Sequence, residues 1–147
     1  MAIRQISVFL ENKQGALEQA LGVLADAGVD LRAMAIADTQ EFGILRLIAK
    51  SHATDAAAAA LRAAGYVISL NYVVAVEVPD EPGGLLKVLS LLAAEGVNIE
   101  YSYAYLTASE NKACAVLRVS DNAHAEEVLG AHGIVTRMTK GGVEPAV

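Results

Sequence analysis

One stretch of this sequence occurs twice. Gly15-Ala16-Leu17, Leu21, Leu24-Ala25 and Gly28-Val29 return without a gap as Gly83-Gly84-Leu85, Leu89, Leu92-Ala93 and Gly96-Val97, at the 68-residue offset that separates Gly15 from Gly83. Self-similarity at a fixed offset means copies of one supersecondary unit, and 147 residues hold two of them with little to spare. Length alone equally permits one ordinary domain; the repeat decides for two.

Each copy predicts the same succession of elements. Ile3 to Leu10, rich in Ile, Val and Phe, reads as a strand, and Val73 to Val78, bounded by Pro79, as its counterpart. A turn and a helix follow. Leu17, Leu21 and Leu24, like Leu85, Leu89 and Leu92, fall at spacings of four and three and make one apolar face, and Gly28 and Gly96 stand where a C-terminal cap belongs. Leu31 to Ala37 with Ile44 to Ala49, and Ile99 to Thr107 with Lys112 to Val119, read as hairpins. Thr54 with Asp55 starts a second helix that runs to Gly65, and Ser120 with Asp121 another before Ala123 to Ala131. The run Ala56 to Ala60 reads as helix-favouring filler. A short strand closes each half, Tyr66 to Leu70 and Ile134 to Met138.

Strand, helix, strand, strand, helix, strand is the split βαβ order of ferredoxin-like folds. The expected fold class is therefore α+β, two βαββαβ units with antiparallel sheets packed in tandem. Residues 1–70 form the first unit and 71–140 the second, meeting at Asn71 with almost no linker, and 141–147 form a loose tail. Tyr101, Tyr103 and Tyr105 alternate along one strand, so their rings share one sheet face where the first half offers Ala33, Ala35 and Ala37. Two readings stay open: the rings interlock between sheets and contribute to dimerisation, or they cover their own helices.

Hydrophobic residues make up 54% of the chain against 19% charged, enough apolar material for a core. With a net charge of −6 and 11 scattered Lys and Arg, the chain lacks the basic stripe of a nucleic-acid binder, and an anionic membrane surface is disfavoured by the same sign. No apolar run approaches the ~18 residues of a membrane span, and the polar start at Met1-Ala2-Ile3-Arg4-Gln5 does not suit a signal peptide, so a cytoplasmic protein is expected. Cys114, alone in an apolar run, reads as a buried thiol. His52, His124 and His132 stand at no ligand spacing with Cys114 or with a carboxylate pair, so neither metal nor cofactor is expected. Gly-x-Ser-x-Gly, a phosphate-binding Gly-Lys-Ser/Thr loop and His-Glu-x-x-His are all absent, and no enzyme activity is expected.

The loops before the two helices carry the functional signal. Glu11-Asn12-Lys13-Gln14-Gly15-Ala16-Leu17 followed by Gly28-Val29-Asp30-Leu31, and more closely Pro79-Asp80-Glu81-Pro82-Gly83-Gly84-Leu85 followed by Gly96-Val97-Asn98-Ile99, resemble the ligand-binding signature of ACT domains. The resemblance covers Ile3 to about Met138 and is to the tandem, free-standing members of the family. It implies units that pair sheet to sheet, bind an amino acid at the loop after the first strand, and regulate metabolic enzymes without catalysing anything. Carried over residue by residue, it places ligand contacts at Asn12, Gln14, Gly15, Ala16, Leu17, Asp30 and Leu31 in the first half. In the second half it places them at Asp80, Glu81, Pro82, Gly83, Gly84, Leu85, Asn98 and Ile99. Gln14 stands where a proline like Pro82 is expected, which makes the first loop the less regular copy. The first-half motif is also similar to that of the regulatory subunit of acetolactate synthase, where a second Pro-Gly loop is not expected.

Physical chemistry supports the same use. A strand that ends in a polar residue and a glycine before opening a helix presents unpaired backbone N–H groups and the positive end of a helix dipole, which suit a carboxylate. Glycine lets a ligand approach the backbone closely. Asp30 and Asn98 can accept hydrogen bonds from an ammonium group, so the set fits an α-amino acid zwitterion. The alternative is that the glycines serve only the turns and Asp30 and Asn98 only caps. The expected function is an amino-acid-binding regulatory protein, a homodimer with a possible metabolic enzyme partner; the alternative is an accessory subunit that docks to such an enzyme without a ligand.

Overall fold

The computed structural model describes residues 3–105 and 112–136 and is an α+β fold built from two βαββαβ-type units. The chain divides into two compact units, one over Arg4–Asn71 and the other from Tyr72 onward together with the start of the chain. In the first, β1 (Ile3–Glu11) leads through α1 (Ala16–Asp26) to the hairpin of β2 (Leu31–Asp38) and β3 (Phe42–Ala49), then through a short 3-10 turn to α2 (Thr54–Ala63). β4 (Ile68–Pro79) begins in the first unit and enters the second at Tyr72, where it is followed by α3 (Gly84–Ala94), β5 (Ile99–Tyr105), β6 (Lys112–Val119) and α4 (Asn122–Ala131). β3 lies between β1 and β2 in the first unit, and β6 between β4 and β5 in the second, all antiparallel.

β4 is longer than the sequence reading allows. The two strands expected at Tyr66 to Leu70 and Val73 to Val78 are one, running unbroken through Asn71, while Tyr66 and Val67 lie outside it. Ile68, Tyr72, Val73, Val74, Val76 and Val78 favour extended backbone, and a single Asn without Gly or Pro does not interrupt them. Of the closing strand expected at Ile134 to Met138, the described residues show a bridge between Thr136 and Val76; Arg137 and Met138 lie outside the described residues, as do Leu106 and Thr107 of the expected fifth strand and the tail.

Alternation along the strands builds one core per unit. Ile6, Val8 and Leu10 of β1 with Leu45 and Leu47 of β3 face Ala20 and Leu24 of α1 and Ala57, Ala58 and Leu61 of α2. In the second unit Val74, Val76, Val78, Leu117 and Val119 face Val88, Leu92, Ala125 and Leu129. Two expectations change here. The buried stripe of α3 is Gly84, Val88 and Leu92, and Leu85 is exposed. The alanine run is not filler, because Ala57 and Ala58 are buried against the sheet and their small side chains let α2 seat closely on it.

Helix starts differ in chemistry. Asp121 caps α4 by accepting from the His124 N–H at 3.0 Å, whereas Thr54 is a buried first-turn residue of α2 and not its cap. A bulge between Ile99 and Tyr101 puts Tyr101 opposite Arg118 and Tyr103 opposite Val116. Opposed residues share a face, and the core-facing residues of β6 are Ala115, Leu117 and Val119, so these tyrosines point away from their own helices. The two rings stack with centroids 6.4 Å apart. Covering the helices is therefore excluded as the role of Tyr101 and Tyr103.

Gly84 is a packing constraint as much as a loop residue. A Cβ built there stands 2.2 Å from the Pro79 carbonyl oxygen, which is backbone and cannot turn aside. Gly84→Ala is expected to destabilise the chain by about 1–3 kcal/mol, as overpacking does. Urea denaturation checks it: an unchanged midpoint would mean that the loop yields without cost.

Candidate functional site

Both β-to-α loops turn on a glycine in the left-handed region, Gly15 at φ 81° and Gly83 at φ 83°, and each glycine is followed by a helix whose start carries no side-chain cap. The Ala16 N–H donates back to the Lys13 carbonyl at 3.2 Å, and the N–H groups that follow it in the first turn are left to whatever enters the loop. The loops differ in how they are held. Asn12 is fastened to the β2–β3 turn, its backbone N–H donating to the Glu41 carbonyl at 2.9 Å and its side-chain amide to the Thr39 carbonyl at 3.1 Å. Lys13 sits 2.7 Å from Glu11. In the second loop the Gly84 N–H donates to the Glu81 carbonyl at 3.0 Å, Asp80, Glu81 and Pro82 are exposed, and Lys87 stands 3.8 Å from Glu81.

Within each unit the expected contact residues form two groups. Asn12, Gln14, Gly15 and Ala16 gather at the β1 end, beside Glu11 and its cross-strand partner Phe42. Asp30 and Leu31 lie at the opposite end of α1, where Leu31 pairs with Ala49; eleven helical residues span about 16 Å. Asp80 to Gly84 are likewise separated by α3 from Asn98 and Ile99. Leu17, Leu31 and Ile99 pack against the cores. Asp30 is paired: Lys50 Nζ stands 2.6 Å from its carboxylate, and the Lys50 N–H donates to its carbonyl. The Lys50 bond and charge hold the Asp30 carboxyl below its ordinary range against a smaller opposing desolvation, and Arg32 adds the least. Asn98 is tied through its backbone to Ser120, receiving the Ser120 N–H at 3.0 Å and donating to its hydroxyl at 3.2 Å.

A cleft of about 340 Å³ opens beside the first loop, lined by Glu11, Lys13, Ala16 and Gln19 and by four residues the sequence reading passed over: Phe9, Phe42, Tyr66 and Val67. Two of these are the only phenylalanines in the chain. Phe9 is 47% exposed, Phe42 54% and Val67 67%, so the walls are apolar surface open to solvent. Their signal in the sequence was weak, since a strand-favouring residue reads as core wherever alternation is incomplete. The histidines make backbone contacts: His124 Nε2 lies 3.3 Å from the Glu95 carbonyl and His132 Nδ1 2.9 Å from that of Val128.

A sequence model of the ACT domain pair matches residues 1–136, and the chain belongs to that family, whose units are a regulatory domain type. Among solved structures, a protein of Bacteroides thetaiotaomicron is similar at 39% identity over 92% of this chain and 93% of its own, with a TM-score of 0.83. The ligand-free regulatory subunit of aspartate kinase from Thermus thermophilus shares the fold at 18% identity over 90% and 92%, TM-score 0.70, and that from Thermus flavus at 18% over 89% and 90%, TM-score 0.66. No curated protein matches. Among the described residues, no helix is long and apolar enough to cross a membrane.

Asp30 beside Lys50 and Glu11 beside Lys13 both titrate below their ordinary values. A carboxyl whose folded value is lowered contributes stability that is present above the unfolded value, about 4, and lost as pH falls through the folded one. The urea midpoint is expected to drop as pH falls below about 4, and Asp30→Asn to flatten that drop slightly, since both groups are exposed and screened. An acid limb identical in the variant would separate Asp30 from the effect.

Proposed function

We propose that this chain is a non-catalytic regulatory protein of amino-acid metabolism that binds an α-amino acid at the loop opening its first helix. The observation that carries the reading is the contrast among helix starts. Asp121 closes α4 with its own side chain, while α1 follows a left-handed glycine with no cap and faces an open cleft. Backbone N–H groups there suit a carboxylate, and Glu11 suits an ammonium group. Membership of a regulatory domain family and structural likeness to aspartate kinase regulatory subunits support association with a metabolic enzyme. Binding would favour one arrangement of chain and partner over another through differential affinity.

The test is a thermal-shift screen against the twenty amino acids. A ligand at a hundredfold excess over Kd adds about 2.7 kcal/mol of apparent stability. One hit or a few related hits are expected, weakened in Lys13→Met. No hit at millimolar concentration would favour the accessory-subunit reading, in which the chain docks to its enzyme without a ligand.

The chain also reads as a homodimer. β2 is an edge strand whose Met34 and Ile36 are exposed although they lie opposite the buried Leu47 and Leu45, so backbone and apolar surface are offered together. Sedimentation is expected to show a dimer that Ile36→Lys shifts toward monomer; a monomeric wild type would remove this part of the proposal.

A further inference from the structure

The two copies allow the same corner to be compared. In the first unit, Phe9 lies opposite Ile44 and Phe42 opposite Glu11, so the two rings are diagonal neighbours on one face, the one turned away from the core that Val8, Leu10 and Leu45 form with α1 and α2. In the second unit, Glu77 lies opposite Cys114 and Lys112 opposite Pro79. Glu77 thus holds the place of Phe9, and Lys112 that of Phe42. Glu77 and Lys112 form an ion pair at 2.5 Å. One copy closes this corner with opposite charges, and the other leaves it as two exposed phenyl rings.

The adjoining loops differ in the same sense. Gly84 admits no Cβ because the Pro79 carbonyl lies against it, whereas its counterpart Ala16 lines the cleft. Tyr66 and Val67, in the turn after α2, complete the apolar wall. At the mouth stands the exposed pair of Glu11 and Lys13. A zwitterion can replace each partner with the other's complement, setting its carboxylate on Lys13 and its ammonium group on Glu11, and carry its side chain to the rings. The volume of about 340 Å³ lies at the small end of the ~300–1,000 Å³ range of ligand sites, so it suits one amino acid and not a nucleotide. An acidic side chain would be stripped of water against the phenyl rings, which offer it no donor.

We propose that the first-unit cleft, and not its second-unit counterpart, is selective for an amino acid with an aromatic or branched aliphatic side chain. This rests on the reading that the first loop binds an amino acid, and it adds which copy is competent and what side chain it takes. The less regular loop is then the working one.

Calorimetric titration of the full chain with L-phenylalanine, L-leucine, L-lysine, L-aspartate and glycine tests it. Phenylalanine or leucine is expected to bind at least tenfold tighter than the other three. The double variant Phe9→Glu with Phe42→Lys, which transplants the second unit's ion pair, is expected to lose that preference at least tenfold while keeping its circular dichroism. Val67→Glu, outside every strand and helix, makes the same test should the double variant fold poorly. Tighter binding of lysine, aspartate or glycine, or unchanged phenylalanine and leucine affinity in the folded variants, would overturn this inference and leave the amino-acid reading standing. Absence of binding by every amino acid, including those of the thermal-shift screen, would overturn both.

Discussion

Four helices of this chain end in the same pair of hydrogen bonds, and the placement of the elements depends on them. After α1 the Gly28 N–H donates to the Ala25 carbonyl and the Val29 N–H to that of Leu24. The pattern returns at Gly65 and Tyr66, at Gly96 and Val97, and at Gly133 and Ile134. Each glycine is left-handed, which reverses the chain in two residues and satisfies carbonyls the helix would otherwise strand. The apolar residue after it returns to the core, beside the buried leucine whose carbonyl it reads: Leu24, Leu61, Leu92 or Leu129. Helix length, re-entry point and the first core contact of the next segment are thereby set together.

That regularity is why so much of the fold was legible. A glycine at the end of an apolar period is a local signal, and its recurrence at the 68-residue offset made the two units readable before any contact was known. Hairpin strands rich in Ile, Val and Leu were legible for the same reason. What the sequence left open or misread shares a cause: it turns on what a residue packs against. Ala57 and Ala58 look like propensity and act as packing; Tyr101 and Tyr103 alternate plainly, yet a bulge at Glu100 chooses their face. Asn71 looks like a break and is carried through by the strand around it.

The candidate site was half legible. Loop residues Asn12 to Ala16 stand out in the sequence because glycine and a polar strand end mark a turn before a helix. The structure holds them apart from Asp30, as it holds Asp80 to Gly84 apart from Asn98, with α1 or α3 between the two halves of each motif. The cleft walls were invisible for the opposite reason. Phe9, Phe42 and Val67 come from three distant segments that only strand pairing and the turn after α2 bring together.

The alanines under α2 have a consequence for that cleft. Gly65, Tyr66 and Val67 emerge directly from the C-terminus of α2, and the depth at which the helix rests is fixed where Ala57 and Ala58 touch the sheet. A rigid helix transmits a change of seating along its length, so these methyl groups act as shims: their thickness sets how far the turn stands from Phe9, and hence the gauge of the opening, without either alanine meeting anything that enters it.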